Sequence, residues 1–154
     1  VNGRIMLAHV ASAQGMVAVE TIMGMNSKIN FDRIPAGIYG SPEIAMVGIT
    51  EQVAKAKNLD YLVSKFPLAG NGKSLAEGET DGFVKIIADK KYGEILGVHI
   101  LSPNATEMIS EAVVIMEAEG TAYELAKAIH PHPTISEAMM ESAQGITGKP
   151  IHRL

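Results

Sequence analysis

The sequence predicts an α+β fold: an antiparallel sheet of about four or five strands with helices packed on it. Three observations carry that expectation. Phe83 to Ala88 and Ile95 to Leu101 are two strand-like runs around Lys90-Lys91-Tyr92-Gly93, the pattern of a hairpin. Tyr61 to Phe66 alternates as a half-buried strand does. Asn104 to Glu119 repeats apolar residues at helical spacing and stops at Gly120. At 154 residues the chain fits one domain with room for a piece of a neighbour.

The elements follow in order. Ile5 to Met23 reads as helix, because Leu7, Val10, Ala11, Ala18 and Ile22 recur at helical spacing and Gly24 is a plausible stop. Asn26 to Pro35 is a polar connector, and the domain boundary is placed there, with residues 1–28 on one side and 29–154 on the other. Ile38 to Val47 reads as one strand, interrupted by Ser41-Pro42 as an edge or bulge would be. Thr50 to Asn58 is a short helix with Thr50 as its N-cap. Ala69 to Asp81, rich in Gly, Asn and Glu, is loop with some irregular helix. His99, on the second hairpin strand, is expected to be packed or surface-bonded rather than catalytic.

Asn104 with Glu107 resembles a capping box for the long helix. Met108, Ile109, Ala112, Val113, Ile115 and Met116 cover so wide an arc that this helix must be buried on two sides, one by the sheet and one by a second subunit. Thr121-x-x-Glu124 starts a short helix ending near Ile129, and Ser136 to about Gly145 forms the last one. Lys149 to Leu154, with His152, is expected to be a mobile tail.

Composition narrows the function. Hydrophobic residues are 47% and charged residues 19%, below the usual ~25%, so some apolar surface is expected to meet a partner. Net charge is −4 with no Lys/Arg block, which argues against a nucleic-acid surface. The longest apolar runs are about five residues, too short to span a membrane. The cysteine count is 0, so these residues perform no disulfide chemistry.

The chemistry concentrates in His130-Pro131-His132-Pro133-Thr134-Ile135-Ser136-Glu137. Histidine is the side chain best matched to proton transfer near neutral pH. A nearby carboxylate fixes the ring tautomer and stabilises the imidazolium. The prolines set the backbone that presents the rings. The segment thus reads as an acid/base device at the mouth of a helix, with His132-Pro133 or His130-Pro131 as a candidate cis bond. Three other readings stand beside it. Thr134-x-x-Glu137 is also a capping-box pattern, and His-Pro can be only a turn. His-x-His with a carboxylate offers three metal ligands, yet no Cys or further clustered His completes such a site, so no metal is expected.

This run resembles the C-terminal signature of the dihydrolipoamide dehydrogenase family of flavin disulfide reductases, His-x-His-Pro-Thr-x-Ser-Glu, with every fixed position filled. Met6-Leu7-Ala8-His9 is similar to the family's flavin-contacting helix. Tyr39 to Gly48 looks like the first strand of its interface domain, and the hairpin like its central one. The resemblance runs from Val1 to at least Gly148. It implies the dimerisation domain of an FAD/NAD-linked disulfide reductase, preceded by a helix from the flavin domain. It further implies His132 as the base that deprotonates dihydrolipoamide, Glu137 as its partner, and Met6, Leu7, Ala8 and His9 as FAD contacts. His130 receives a supporting structural role.

The same resemblance implies FAD and NAD as cofactors of a longer parent, and a homodimer that serves lipoyl domains of 2-oxo-acid or acetoin dehydrogenase complexes. The cytoplasm of a bacterium is the expected compartment, with the mitochondrial matrix as the alternative. Neither the redox cysteine pair nor a G-x-G-x-x-G turn is present, so the chain is expected to be a C-terminal piece that binds no flavin and is inactive alone. The competing readings are a related reductase, such as glutathione reductase, and a purely structural dimerisation module. A mercuric reductase fits less well, because the terminal cysteine pair of that family is missing.

Overall fold

The structure, a computed structural model, describes residues 3–152. The predicted sheet is there, with five antiparallel strands in the order β1-β2-β5-β4-β3. They are β1 (Ala36–Ile38), β2 (Glu43–Gly48), β3 (Tyr61–Pro67), β4 (Phe83–Asp89) and β5 (Ile95–Ser102). The hairpin read from sequence is the β4–β5 pair, which sets Val84 opposite Ile100 and Ile86 opposite Val98, with one irregularity between Ile87 and Ala88. Those four core side chains are all but inaccessible, as expected for central strands under a helical layer.

The run Ile38 to Val47 corrects to two strands. The chain doubles back between Ile38 and Glu43, so β1 pairs with β2 in a small hairpin, and Ser41-Pro42 sits in the turn as a cis peptide. Proline has no N–H to give a ladder, which suits a turn better than the interior of a strand.

Among the described residues, six α-helices complete the fold: α1 (Ala8–Ile22), α2 (Glu51–Ala56), α3 (Gly72–Glu77), α4 (Ala105–Glu117), α5 (Ala122–Lys127) and α6 (Glu137–Thr147). Helix α4 packs on β2 and β5, α6 on β3 and β4, and α5 against α6. The core lies between this layer and the sheet. Thr50 caps α2 as expected, and Thr121 with Glu124 forms the expected capping box of α5. The loop with some irregular helix expected between Ala69 and Asp81 is a 3-10 turn at Leu68–Gly70 followed by α3 and a short connection. Asn71 caps α3, and Gly78 ends it at φ 75°, a backbone position that favours glycine.

Two local expectations change. Asn104 makes no capping bond with its side chain. A carboxylate from across the fold replaces it: Glu43 of β2 accepts from the Thr106 N–H at 2.9 Å and from its hydroxyl at 2.7 Å. Those two bonds, the hydroxyl's first, keep the Glu43 carboxyl below its ordinary pKa. The tail is not loose as far as His152. Glu141, 3% exposed, takes the N–H groups of Ile151 and His152 and pairs with His152 Nδ1 at 2.6 Å. A buried carboxylate needs such partners, and the tail supplies them. Arg153 and Leu154, the end of the predicted tail, lie outside the described residues.

Helix α6 is seated directly on the sheet. The Ser142 hydroxyl lies between the carbonyls of Val84 and Ser64, at 3.1 and 3.4 Å. A Cβ on Gly145 would fall 2.9 Å from Ser64 Cβ and closer still to its Oγ. Adding even a methyl there must push α6 off β3, because interiors are close-packed. Gly145→Ala is therefore expected to destabilise the fold by about 1–3 kcal/mol. Thermal unfolding of the variant checks this; an unchanged melting temperature would contradict the close seat.

Candidate active site

The segment between α5 and α6 carries both histidines. Ala128 leaves the helix in extended geometry, and Pro131 and Pro133 then forbid helix until Ser136. The His132-Pro133 bond is cis, one of the two bonds expected to be so; among the described residues the only other cis bond is Ser41-Pro42.

His132 and Glu137 come together as the sequence suggests. The ring Nδ1 lies 3.0 Å from Oε1 and 3.3 Å from Oε2 of Glu137. The imidazole is 76% exposed and its carboxylate partner 20%. No protein group among the described residues bonds the other nitrogen, Nε2. Because a carboxylate accepts only, Nδ1 carries the hydrogen in this contact, and Nε2 is left to accept a proton.

Glu137 does more than pair. Its Oε2 accepts the Thr134 N–H at 2.9 Å, half of the capping-box pattern. The other half is replaced, since the Thr134 hydroxyl donates to Pro131 O at 2.8 Å and Ser136 is the N-cap position. Capping and pairing are thus compatible in one carboxylate. Burial alone raises its pKa, but the Thr134 N–H, the His132 hydrogen bond and the nearby histidine charges lower it more, so the net shift is downward.

His130 is placed differently. Its side chain is 8% exposed, with Nδ1 3.1 Å from Ala128 O and Nε2 2.8 Å from Glu111 Oε1 on α4. Both partners are acceptors, so both bonds form together only with the doubly protonated ring. Glu111 was not singled out in the sequence; its signal is a lone carboxylate in the apolar stretch of α4. Asn71 and Gly72 were missed too. Asn71 Nδ2 donates to Thr134 O at 2.9 Å, and a Cβ on Gly72 would stand 3.8 Å from His132 Cε1. His99 is half-buried opposite Lys85, away from this loop, and burial followed by the Lys85 charge lowers its pKa.

The residues expected to touch flavin lie elsewhere. Leu7 stands at the N-cap of α1, and its side chain gives the first amides of that helix no capping bond. Met6 is 90% exposed, and an open apolar groove of about 840 Å³ runs along Ile5, Met6, Leu7, Ala11 and Phe31. His9 is engaged otherwise: its Nε2 meets the Pro35 carbonyl at 2.9 Å, tying α1 to the connector. Among the described residues, no group of three or more His, Cys, Asp or Glu could hold a metal ion, and no helix is long and apolar enough to cross a membrane.

This fold and this loop define a class. The chain belongs to the family described as pyridine nucleotide-disulphide oxidoreductase, dimerisation domain, which matches residues 34–143. Among its curated relatives is a dihydrolipoyl dehydrogenase of Bacillus subtilis, 48% identical over 99% of this chain and 32% of that protein. Another is a mitochondrial dihydrolipoyl dehydrogenase of Arabidopsis thaliana, 43% identical over 96% of this chain and 29% of that protein. The crystal structure of LpdA from Mycobacterium tuberculosis superposes with a TM-score of 0.88 at 30% identity, over 94% of this chain and 32% of that one. The HOCl-induced flavoprotein disulfide reductase RclA of Escherichia coli shares the fold, with a TM-score of 0.83 at 24% identity over 92% of this chain and 33% of that one. The chain therefore spans about a third of the length of the relatives it matches.

The lowered Glu137 pKa links the site to stability. A carboxylate depressed in the folded state stabilises above its unfolded pKa and loses that contribution as pH falls through the folded value. Glu137→Gln keeps an acceptor for Thr134 N–H but removes the charge. The wild type is expected to melt above this variant at pH 6–7, with the gap closing below pH 4.5, the ordinary carboxylate value. Melting curves of both across pH 3–7 read this; a gap independent of pH would mean the charge is irrelevant.

Proposed function

We propose that this chain serves as the interface domain of a dihydrolipoyl dehydrogenase, contributing the acid/base group for NAD-dependent oxidation of dihydrolipoamide. The observation that carries the reading is the His132–Glu137 pair, with Nδ1 held by the carboxylate and Nε2 unpartnered on an exposed ring. On this reading residues 1–28 close the flavin domain and 29–154 form the interface domain. The disulfide and the nucleotide folds belong to other parts of the enzyme, since this chain has no cysteine.

FAD, when bound, supplies the two-electron acceptor, and NAD takes the electrons on. The chain's own part is proton chemistry. His132 Nε2 takes a proton from a substrate thiol, because the thiolate and not the thiol attacks a disulfide. Glu137 fixes the tautomer and favours the imidazolium that results. Met6, Leu7, Ala8 and His9 at the open start of α1 are the proposed flavin contacts. The His9 ring is also bonded through Nε2 to the Pro35 carbonyl, which fixes its position on that segment. His130 and Glu111 brace the loop on α4. Lipoyl domains of 2-oxo-acid or acetoin dehydrogenase complexes are the proposed partners, and a bacterial cytoplasm the proposed compartment.

The pair acts on a disulfide of the other subunit, so the reading requires a homodimer. Support comes from apolar side chains left exposed: Val114 on α4, Tyr123 on α5, and Ile129, which is 97% exposed. An obligate interface of this kind buries upwards of ~2,000 Å² in total. Light scattering at micromolar concentration is expected to give twice the 16.3 kDa chain mass, and a clean monomer would refute it.

The chemistry is tested in the full-length enzyme. His132→Gln is expected to lower dihydrolipoamide turnover by about 10²–10⁴-fold with flavin retained, the usual contribution of a general base. Glu137→Gln is expected to cost less and to move the acid limb of the pH–rate profile to lower pH, because the amide no longer favours imidazolium. Turnover of His132→Gln near wild type would end the acid/base reading.

A further inference from the structure

We propose that Asn71 is a positioning residue for the His132–Glu137 pair, fastening the turn beside His132 to the backbone that Glu137 grips. The inference rests on the proposed role of that pair and adds a residue to it. Asn71 is 4% exposed and lies 63 positions away in sequence from the residue it holds.

Three bonds run in series. Asn71 Nδ2 donates to the carbonyl of Thr134 at 2.9 Å. The N–H of the same Thr134 donates to Glu137 Oε2 at 2.9 Å. Glu137 Oε1 then faces His132 Nδ1 at 3.0 Å. Thr134 is thus clamped on both of its backbone polar groups, by Asn71 on one side and Glu137 on the other. Rotation of its peptide planes would break one clamp or the other.

The amide of Asn71 has no freedom to answer otherwise. Its Oδ1 accepts the Ser74 N–H at 2.9 Å and caps α3, while its backbone N–H bonds Leu68 O at 2.9 Å. A flipped amide would set oxygen against the Thr134 carbonyl and nitrogen against the Ser74 N–H, losing both bonds. The next residue is Gly72, whose missing Cβ would stand 3.8 Å from His132 Cε1. The turn that Asn71 anchors therefore passes beside the imidazole at Cε1. One side chain couples the turn beside the ring to the loop that bears it. A group held this way loses little entropy on reaching a reactive geometry.

The two duties of Asn71 separate by substitution. Asn71→Ser keeps an oxygen for the α3 cap but is too short for Thr134. Asn71→Asp keeps the cap and the length but cannot donate. Both are expected to melt within a few degrees of wild type. In both, NMR titration of the Glu137 carboxyl is expected to move up toward its ordinary value, as Thr134 N–H leaves Oε2. In the full-length enzyme, kcat for dihydrolipoamide is expected to fall about 10-fold or more with KM little changed, the scale of a small misplacement.

An unchanged Glu137 titration in both variants would overturn the proposal. So would loss of cooperative unfolding in both, since Asn71 would then belong to the fold rather than to the pair. A shifted titration with unchanged turnover would leave Asn71 in its positioning role and count against the acid/base role of the pair instead.

Discussion

The close seat of α6 on β3 and β4 is the constraint on which the rest depends. Glu137 is the first residue of that helix, so its carboxylate can be no better placed than the helix itself. Gly145 and Ser142 set the distance: one lacks the Cβ that would strike Ser64, the other gives its hydroxyl to sheet carbonyls. Buried sheet carbonyls already bonded in a ladder still have a second lone pair, and Ser142 uses it. Glu141, one helical turn above Glu137, then gathers the tail over the same helix. The position of the helix is thus over-determined before the His-Pro loop is considered.

Given that seat, Glu137 joins two tasks that are commonly divided. A carboxylate in the first turn of a helix is favoured by the free N–H groups and partial positive charge there. Here that stabilisation falls on the same oxygens that face His132. The loop's own backbone contributes through Thr134 N–H. The net downward pKa shift follows from these hydrogen bonds and histidine charges outweighing burial. A carboxylate kept ionised in this way can orient an imidazole across the pH range where histidine titrates.

What the sequence disclosed and what it hid divide along contact range. The β4–β5 hairpin, the α4 stretch, the Thr121 capping box and the His132–Glu137 pairing all arise from residues close in the chain or regular in period. Glu43 capping α4 across 63 positions, Asn71 reaching Thr134 across 63, and Glu111 meeting His130 across 19 leave no periodic trace. Asn71 looked like loop chemistry because asparagine is common in turns. Asn104 looked like a cap because its type and spacing fit, yet the stronger carboxylate of Glu43 reached the helix first. The apolar spacing of α1 was real, but only Val10 is buried by it; Met16, Val19 and Ile22 remain exposed. Period identifies an apolar face and not what covers it.

The two histidines show how one loop assigns different work to like residues. Each has a carboxylate within about 3 Å. His130 is enclosed, and both of its nitrogens meet acceptors, so it has no nitrogen left for a substrate. His132 projects outward with one nitrogen engaged. A residue that exchanges protons must keep a nitrogen open, while a residue that braces must not. Pro131 between them limits the conformations of His130, and the cis bond after His132 turns the chain toward α6. Burial, rather than residue type or proximity to an acid, separates the proposed base from the proposed brace. Spacing alone does not tell that one ring faces inward to α4 and the other outward to solvent.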